Sequence, residues 1–241
     1  MKLHYIGACS IIKNTETPAH ELCSAKELSS FGRFTRGRLL TSGNDSAGEF
    51  MTVFSKTVAE RTKPGQRQDI EQDCMIALAP VVLNSYHLAN TFHAYGRSEG
   101  ICGIIISDHE YPALVAHQLL SKVVDEFINA HPQTEWATSN PTISFPQLDE
   151  YITKYQDPQQ ADSIMKIQKE LDETKIVLHK TIESVLERGE KIDELVAKSD
   201  GLSAQSKMFY SKSHTILIYG KQVANGIIAQ AKKQNSCCVV M

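Results

Sequence analysis

The chain has 241 residues, 41% of them hydrophobic, and a formal net charge of −3. That composition supports a packed domain plus an extended segment, and it excludes global disorder and the basic footprint of a nucleic-acid binder. No apolar run approaches the ~18 residues needed to span a bilayer, and the best stretches, 76–83 and 101–106, have the length of strands or core segments.

The opening Met1-Lys2-Leu3-His4-Tyr5-Ile6 is too short and too polar for a secretory signal, and Ile6-Gly7-Ala8-Cys9 lacks the apolar run of a lipoprotein box. The six cysteines (Cys9, Cys23, Cys74, Cys102, Cys237 and Cys238) follow neither a disulfide framework nor a C-x-x-C pair. Cytosolic thiols are therefore expected, which leaves the Asn44-Asp45-Ser46 sequon unglycosylated.

Residues 3–12 read as an opening strand. Ser46-Ala47-Gly48-Glu49 fits a capping box. Behind it Phe50, Phe54, Thr57 and Val58 share one helical face, and Lys63-Pro64-Gly65 stops the helix. Residues 91–95 and 101–107 read as strands joined through the turn Arg97-Ser98-Glu99-Gly100. After Tyr111-Pro112 an amphipathic helix carries the stripe Leu114, Val115, Leu119, Val123 and Phe127 and ends at Pro132. A short helix is expected over 146–155. Strands first and helices after give an α+β domain over 1–155.

Asp157-Pro158 marks a boundary and a helix start together, aspartate as cap and proline in the first turn. A stripe then steps by three and four residues through Ile164, Ile167, Leu171, Thr174, Leu178, Thr181, Val185, Arg188, Ile192, Leu195, Ser199, Leu202, Ser206 and Phe209. Such steps average ~3.5 residues, the period of a left-handed coiled coil. Arg188 is the one arginine in that seam. A guanidinium there is costly to desolvate unless partner helices offer acceptors, so it acts as a register pin. Stacked copies of it would repel, which disfavours a homotypic coiled coil. The bland reading is a solvated arginine on an ordinary helix. Gly189 and Gly201 each weaken the isolated helix by ~1 kcal/mol relative to alanine, as in a segment that orders with its partners.

The chain ends Cys237-Cys238-Val239-Val240-Met241, a C-a-a-X box behind a second cysteine. Methionine in last place favours a farnesyl group on Cys238. One isoprenoid binds a membrane only marginally, so Cys237 is expected to add a palmitoyl or second prenyl group. Lys232 and Lys233 add about 1 kcal/mol each on an anionic surface.

The motifs 171–176 (Leu-Asp-Glu-Thr-Lys-Ile), 186–191 (Leu-Glu-Arg-Gly-Glu-Lys) and 233–238 (Lys-Gln-Asn-Ser-Cys-Cys) resemble the lipid-anchored longin R-SNAREs of the Ykt type. So do Glu49-Phe50-Met51-Thr52, Glu60-Arg61, 108–112, Asp125-Glu126-Phe127 and Tyr155-Gln156-Asp157-Pro158. The resemblance covers most of the chain. It implies a profilin-like longin domain, a five-stranded antiparallel sheet with helices on both faces, followed by an α-helical R-SNARE motif over 156–216 and a linker with lipidation box over 217–241. It implies three Q-SNARE partner helices with Arg188 in the central layer, and action at Golgi, endosomal, lysosomal or vacuolar and autophagosomal membranes. It also gives Phe50, Phe54 and Val58, by default simple core, a second role as a groove that clasps the SNARE segment. Stretches 38–47, 74–90 and 211–230 depart from the family pattern.

Catalytic patterns are weak. The nine histidines show no H-E-x-x-H or other metal spacing, adjacent Asp108-His109-Glu110 fits a strand-to-helix turn, and no phosphate-binding loop sequence occurs. No enzymatic activity, cofactor, metal or nucleic acid is expected. A lipid-anchored longin adaptor or tether with a non-fusogenic coiled coil is the competing reading.

Overall fold

The computed structural model describes residues 2–11, 18–29, 43–72, 90–136, 141–157, 176–179, 181–208 and 210–211, without side chains at 43–46. Five antiparallel strands form the sheet: β1 (Leu3–Ile11), β2 (Ala19–Lys26), β3 (Arg67–Gln72), β4 (Asn90–Gly96) and β5 (Ile101–Asp108). A sixth strand, β6 (Ile176–His179), comes from the heptad segment and runs parallel to β3. The resulting order is β2-β1-β5-β4-β3-β6. Helix α1 (Gly43–Arg61) covers one face, while α2 (Ala113–Ala130) and α3 (Gln147–Lys154) cover the other.

Central position explains the nearly unbroken apolar run of β5. Ile101 and Ile105 enter the core under α2, and Cys102, Ile104 and Ile106 enter the core under α1. A strand buried on both faces has no polar alternation to show. The β4–β5 turn closes with Arg97 N–H donating to Ile101 O at 2.8 Å, and Gly100 takes φ +85°. The β2 edge is partly covered, since Ile143 N–H donates to Leu22 O at 2.7 Å.

The expected strands and the helices at 113–130 and 147–154 lie within one residue of their sequence-derived limits. Three expectations need correction. Helix α1 already runs from Gly43, so Ser46 sits inside it and is no cap. The Glu49 carboxylate instead accepts the backbone N–H of Ser203 at 2.9 Å, a long-range donor that a four-residue pattern cannot foresee. Leu114 is 43% exposed, because the buried face of α2 is defined by Val115, Leu119, Val123 and Phe127 with Ala116, Leu120 and Val124. A step of ~100° per residue carries Leu114 off that face. Third, the described part of the heptad segment is not one helix but β6, a 3-10 turn (Ile182–Val185), helix α4 (Ile192–Lys198) and helical residues 204–208. Ile164, Ile167, Leu171, Thr174, Phe209, Cys237 and Cys238 lie outside the described residues, as do 38–42, 74–89 and 212–230.

Helix α2 sits so close on β5 that a Cβ built on Gly103 falls 2.6 Å from Val124 Cγ2 and 3.1 Å from Leu120 Cδ2. Gly103→Val should therefore lower stability by about 1–3 kcal/mol through overpacking. Urea denaturation checks this; an unchanged midpoint would show that α2 is not seated on the strand.

Candidate functional site: the α1 groove and the segment it holds

An amphipathic helix on a sheet buries one face inward, and its outer flanks need water or a partner. In α1, Phe50, Phe54 and Val58 recur every fourth residue and are 3%, 2% and 0% exposed. Their core also contains Ile182, Ile192, Val196, Leu202 and Tyr210, with Val185 and Leu186 packed against it. The Phe50 ring lies 6.1 Å from that of Phe54 and 6.1 Å from that of Tyr210. The expected groove residues thus share one core with the far end of the heptad segment.

Polar contacts fix the register of this docking. Arg61, in the last turn of α1, donates through Nη2 to both Glu190 oxygens at 2.9 Å and approaches Glu187 Oε1 at 3.4 Å through Nη1. Glu187 N–H donates to Glu190 Oε2 at 2.8 Å, and Gly189 takes φ +97° to let the turn close. The Glu187 amide first, and the nearby Arg61 charge after it, hold the Glu190 carboxyl below its usual range against mild desolvation. At the other end of α1, partial burial pushes the Glu49 carboxyl up, but hydrogen bonds from Ser206 and Ser203 outweigh it and leave it lowered. A carboxylate there also meets the exposed N–H groups at the start of helical residues 204–208. Tyr210 Oη donates to Asp193 Oδ1 at 2.8 Å and ties the segment to itself.

The described seam residues divide among three environments. Ile192, Leu202 and Ser206 are buried, Thr181, Val185, Leu195 and Ser199 are half-buried, and Leu178 and Arg188 face solvent. Sequence reasoning missed Ile182, Val196 and Tyr210, which are buried as well. Each lies one residue beyond a seam position, so a strict 3-4 stripe passes over it. The signal was an apolar residue flanking the seam where a lone coiled coil needs none.

A profilin-like sheet and a heptad segment folded back on its first helix define the class: a longin domain joined to a SNARE segment. Residues 39–152 match the longin family, described as a Regulated-SNARE-like domain, and residues 163–217 match the synaptobrevin family. The chain is 49% identical over 240 residues to the synaptobrevin homolog ykt6 of Schizosaccharomyces pombe, covering 100% of both chains. It is 48% identical over 244 residues to YKT6 of Saccharomyces cerevisiae and 43% over 244 residues to YKT6 of Yarrowia lipolytica, again with 100% of both chains covered. The chain belongs to the Ykt6-type longin R-SNARE family, non-enzymatic SNAREs of membrane trafficking. Among the described residues no helix is long and apolar enough to cross a membrane.

Because Ile182 is buried in the docked state yet lies off the seam, Ile182→Ala separates docking from layer packing. It should weaken docking by about 2–5 kcal/mol, the range for truncating a buried isoleucine. Hydrogen exchange over residues 181–208 reads this directly; unchanged protection there would show that the α1 groove does not hold the segment in solution.

Proposed function

We propose that the chain is an R-SNARE that drives membrane fusion by zippering with three Q-SNARE helices, and that its longin domain inhibits it while it is soluble. The observation that carries this reading is double use of the same side chains. Ile192 and Leu202 occupy seam positions and are buried in the α1 core, and Ser206, also a seam position, is buried and bonded to Glu49 of α1, so they cannot at once form layers with partners. Docking and zippering are then mutually exclusive, and each ligand shifts the other's equilibrium.

In the open state the layers from Ile164 to Phe209 would pack in register about Arg188, whose guanidinium meets glutamine acceptors of three partner helices. Arg188 is solvent-exposed in the docked conformation, so closing the protein incurs no desolvation of that charge. Membrane attachment would come from farnesylated Cys238 and a palmitoyl or second prenyl group on Cys237, at Golgi, endosomal, lysosomal or vacuolar and autophagosomal membranes.

Three variants test the active half of this reading. Cys238→Ser should move the protein wholly to the soluble fraction, whereas Cys237→Ser should leave weak, reversible membrane binding. Firm pelleting of Cys238→Ser with membranes would overturn the anchor. Arg188→Ala should lower partner selectivity more than bundle stability, since it removes a register pin together with a buried charge. The measurement is competitive assembly with matched and mismatched partner helices. A protein that assembles with no glutamine-bearing helices at all would be the adaptor or tether instead.

A charge swap tests the inhibited half. Arg61→Glu should raise partner-binding rate by breaking the contact to Glu187 and Glu190, and Glu190→Arg in the same chain should restore the slower rate. Equal rates for all three proteins would leave Arg61 no part in inhibition.

A further inference from the structure

On the sheet face away from α1, three side chains far apart in sequence converge. Asp69 of β3, His93 of β4 and His117 of α2 place one ligand atom each within 4.8 Å of one another. Asp69 and His93 are direct partners in the β3–β4 register. Asp69 Oδ1 lies 2.7 Å from His93 Nδ1 and 2.7 Å from His117 Nε2. The two imidazole rings stand edge-on, with centroids 5.6 Å apart. All three residues are buried, at 6%, 1% and 0% exposure.

A carboxylate taken out of water needs a compensating cation. Among the described residues no lysine or arginine ion-pairs with Asp69. The nearest candidate along β3, Arg67, donates instead to His117 O at 3.1 Å and Ser121 Oγ at 2.7 Å and lies 3.8 Å from the centre of the Tyr95 ring. Those contacts bind α2 to β3 beside the cluster and leave the carboxylate to the imidazoles. We propose that Asp69, His93 and His117 form a structural binding site for a divalent transition metal, Zn²⁺ by preference. Two imidazole nitrogens and a carboxylate, bidentate when it offers both oxygens, are a donor set that zinc accepts.

The contacts around His93 suit such an ion, whereas His117 Nδ1 has no hydrogen-bond partner among the described residues. His93 Nε2 lies 3.0 Å from Ser107 Oγ, so a shift of the ring proton to Nε2 frees Nδ1 for the metal and keeps the far nitrogen hydrogen-bonded. Seating zinc moves the two shared protons to the far ring nitrogens, His93 Nε2 and His117 Nδ1, and requires the donors to spread from 2.7 Å to roughly the separation set by bonds of about 2.0–2.2 Å around the ion. All three ligands are buried, so the ion enters as the domain folds and its binding energy adds to folding. Its position gives it a role: it pins β3, the strand that receives β6, to β4 and α2. The cluster's Ser107, His93 and Asp69 also line up as a nucleophile, base and orienting acid would, but Ser107 is 0% exposed and no substrate reaches it.

The test uses the untagged full chain carrying Cys237→Ser and Cys238→Ser, so that terminal thiols bind no metal. The protein is refolded from denaturant either with chelator or with a small excess of Zn²⁺, then gel-filtered. Zinc refolding should retain about one ion per chain and raise Tm by several degrees over the chelator sample, while Asp69→Asn and His117→Gln should lose both effects. Co²⁺ refolding should give the visible absorption of a tetrahedral site. Equal Tm values and no stoichiometric zinc in the parent protein would overturn the proposal and leave a hydrogen-bonded cluster only. Zinc retained undiminished by both substituted proteins would overturn it too. The SNARE reading stands or falls separately.

Discussion

The apolar side of α1 has to be covered, and the same chain supplies the cover. Phe50 and Phe54 are buried in a core that the segment shares, and Tyr210 meets Phe50 there. Ile182, Ile192, Val196 and Leu202 complete that core. Everything else about the docked state follows from this need. The β6–β3 pairing brings the segment to the edge of α1's sheet face, and Arg61 and Glu49 clamp it at the two ends of the helix. Non-directional burial supplies the attraction, while the charged contacts choose one register out of many.

A segment written for a coiled coil can still adopt this broken path because its local preferences are mixed. Ile176-Val177-Leu178-His179 contains two β-branched residues, which sit as comfortably in a strand as in a helix. Gly189 permits the positive φ of the turn, and Gly201 lies close to Val53 where a Cβ would come within 3.2 Å of its Cγ2. The glycines that weaken the fused helix are the residues that make the docked form geometrically available. Helix nucleation is costly in isolation, so a partner surface decides which conformation wins.

These contrasts explain what the sequence made legible. The β4–β5 turn, α2 and α3 announced themselves through local turn chemistry, periodicity and bounding prolines, and the groove stripe Phe50, Phe54 and Val58 through four-residue spacing. Strand β3 did not, since Arg67-Gln68-Asp69-Ile70-Glu71-Gln72 shows one aliphatic residue in six positions. Its buried polar side chains find hydrogen-bond partners 6 to 54 residues away. No window-based pattern reaches that far. The cluster of Asp69, His93 and His117 was invisible for the same reason, its members being 24 and 48 residues apart along the chain. Strand β6 and the buried Ile182 and Val196 were hidden differently. The heptad pattern is that of the helix proposed to form with partners, and the conformation seen here leaves only faint traces beside it.

Magnitudes set how such a protein can be switched. Moving a two-state population from 1:99 to 99:1 takes a differential of about 5.5 kcal/mol. Truncation of one buried isoleucine in the docking core removes about 2–5 kcal/mol, so one or two altered contacts span most of that interval. A docked state built on a long, fully complementary interface would be too stable for partners to open. One built on the aromatic contact alone would leak. Five buried apolar side chains and two terminal clamps place this chain between those limits. On the proposed reading, Arg188 and the 62% exposed Leu178 present two seam side chains to partner helices in the docked form, and Leu178 enters a helical layer only once β6 leaves β3. Opening on that reading would proceed toward the α1 core, each new layer offsetting the groove contact it displaces.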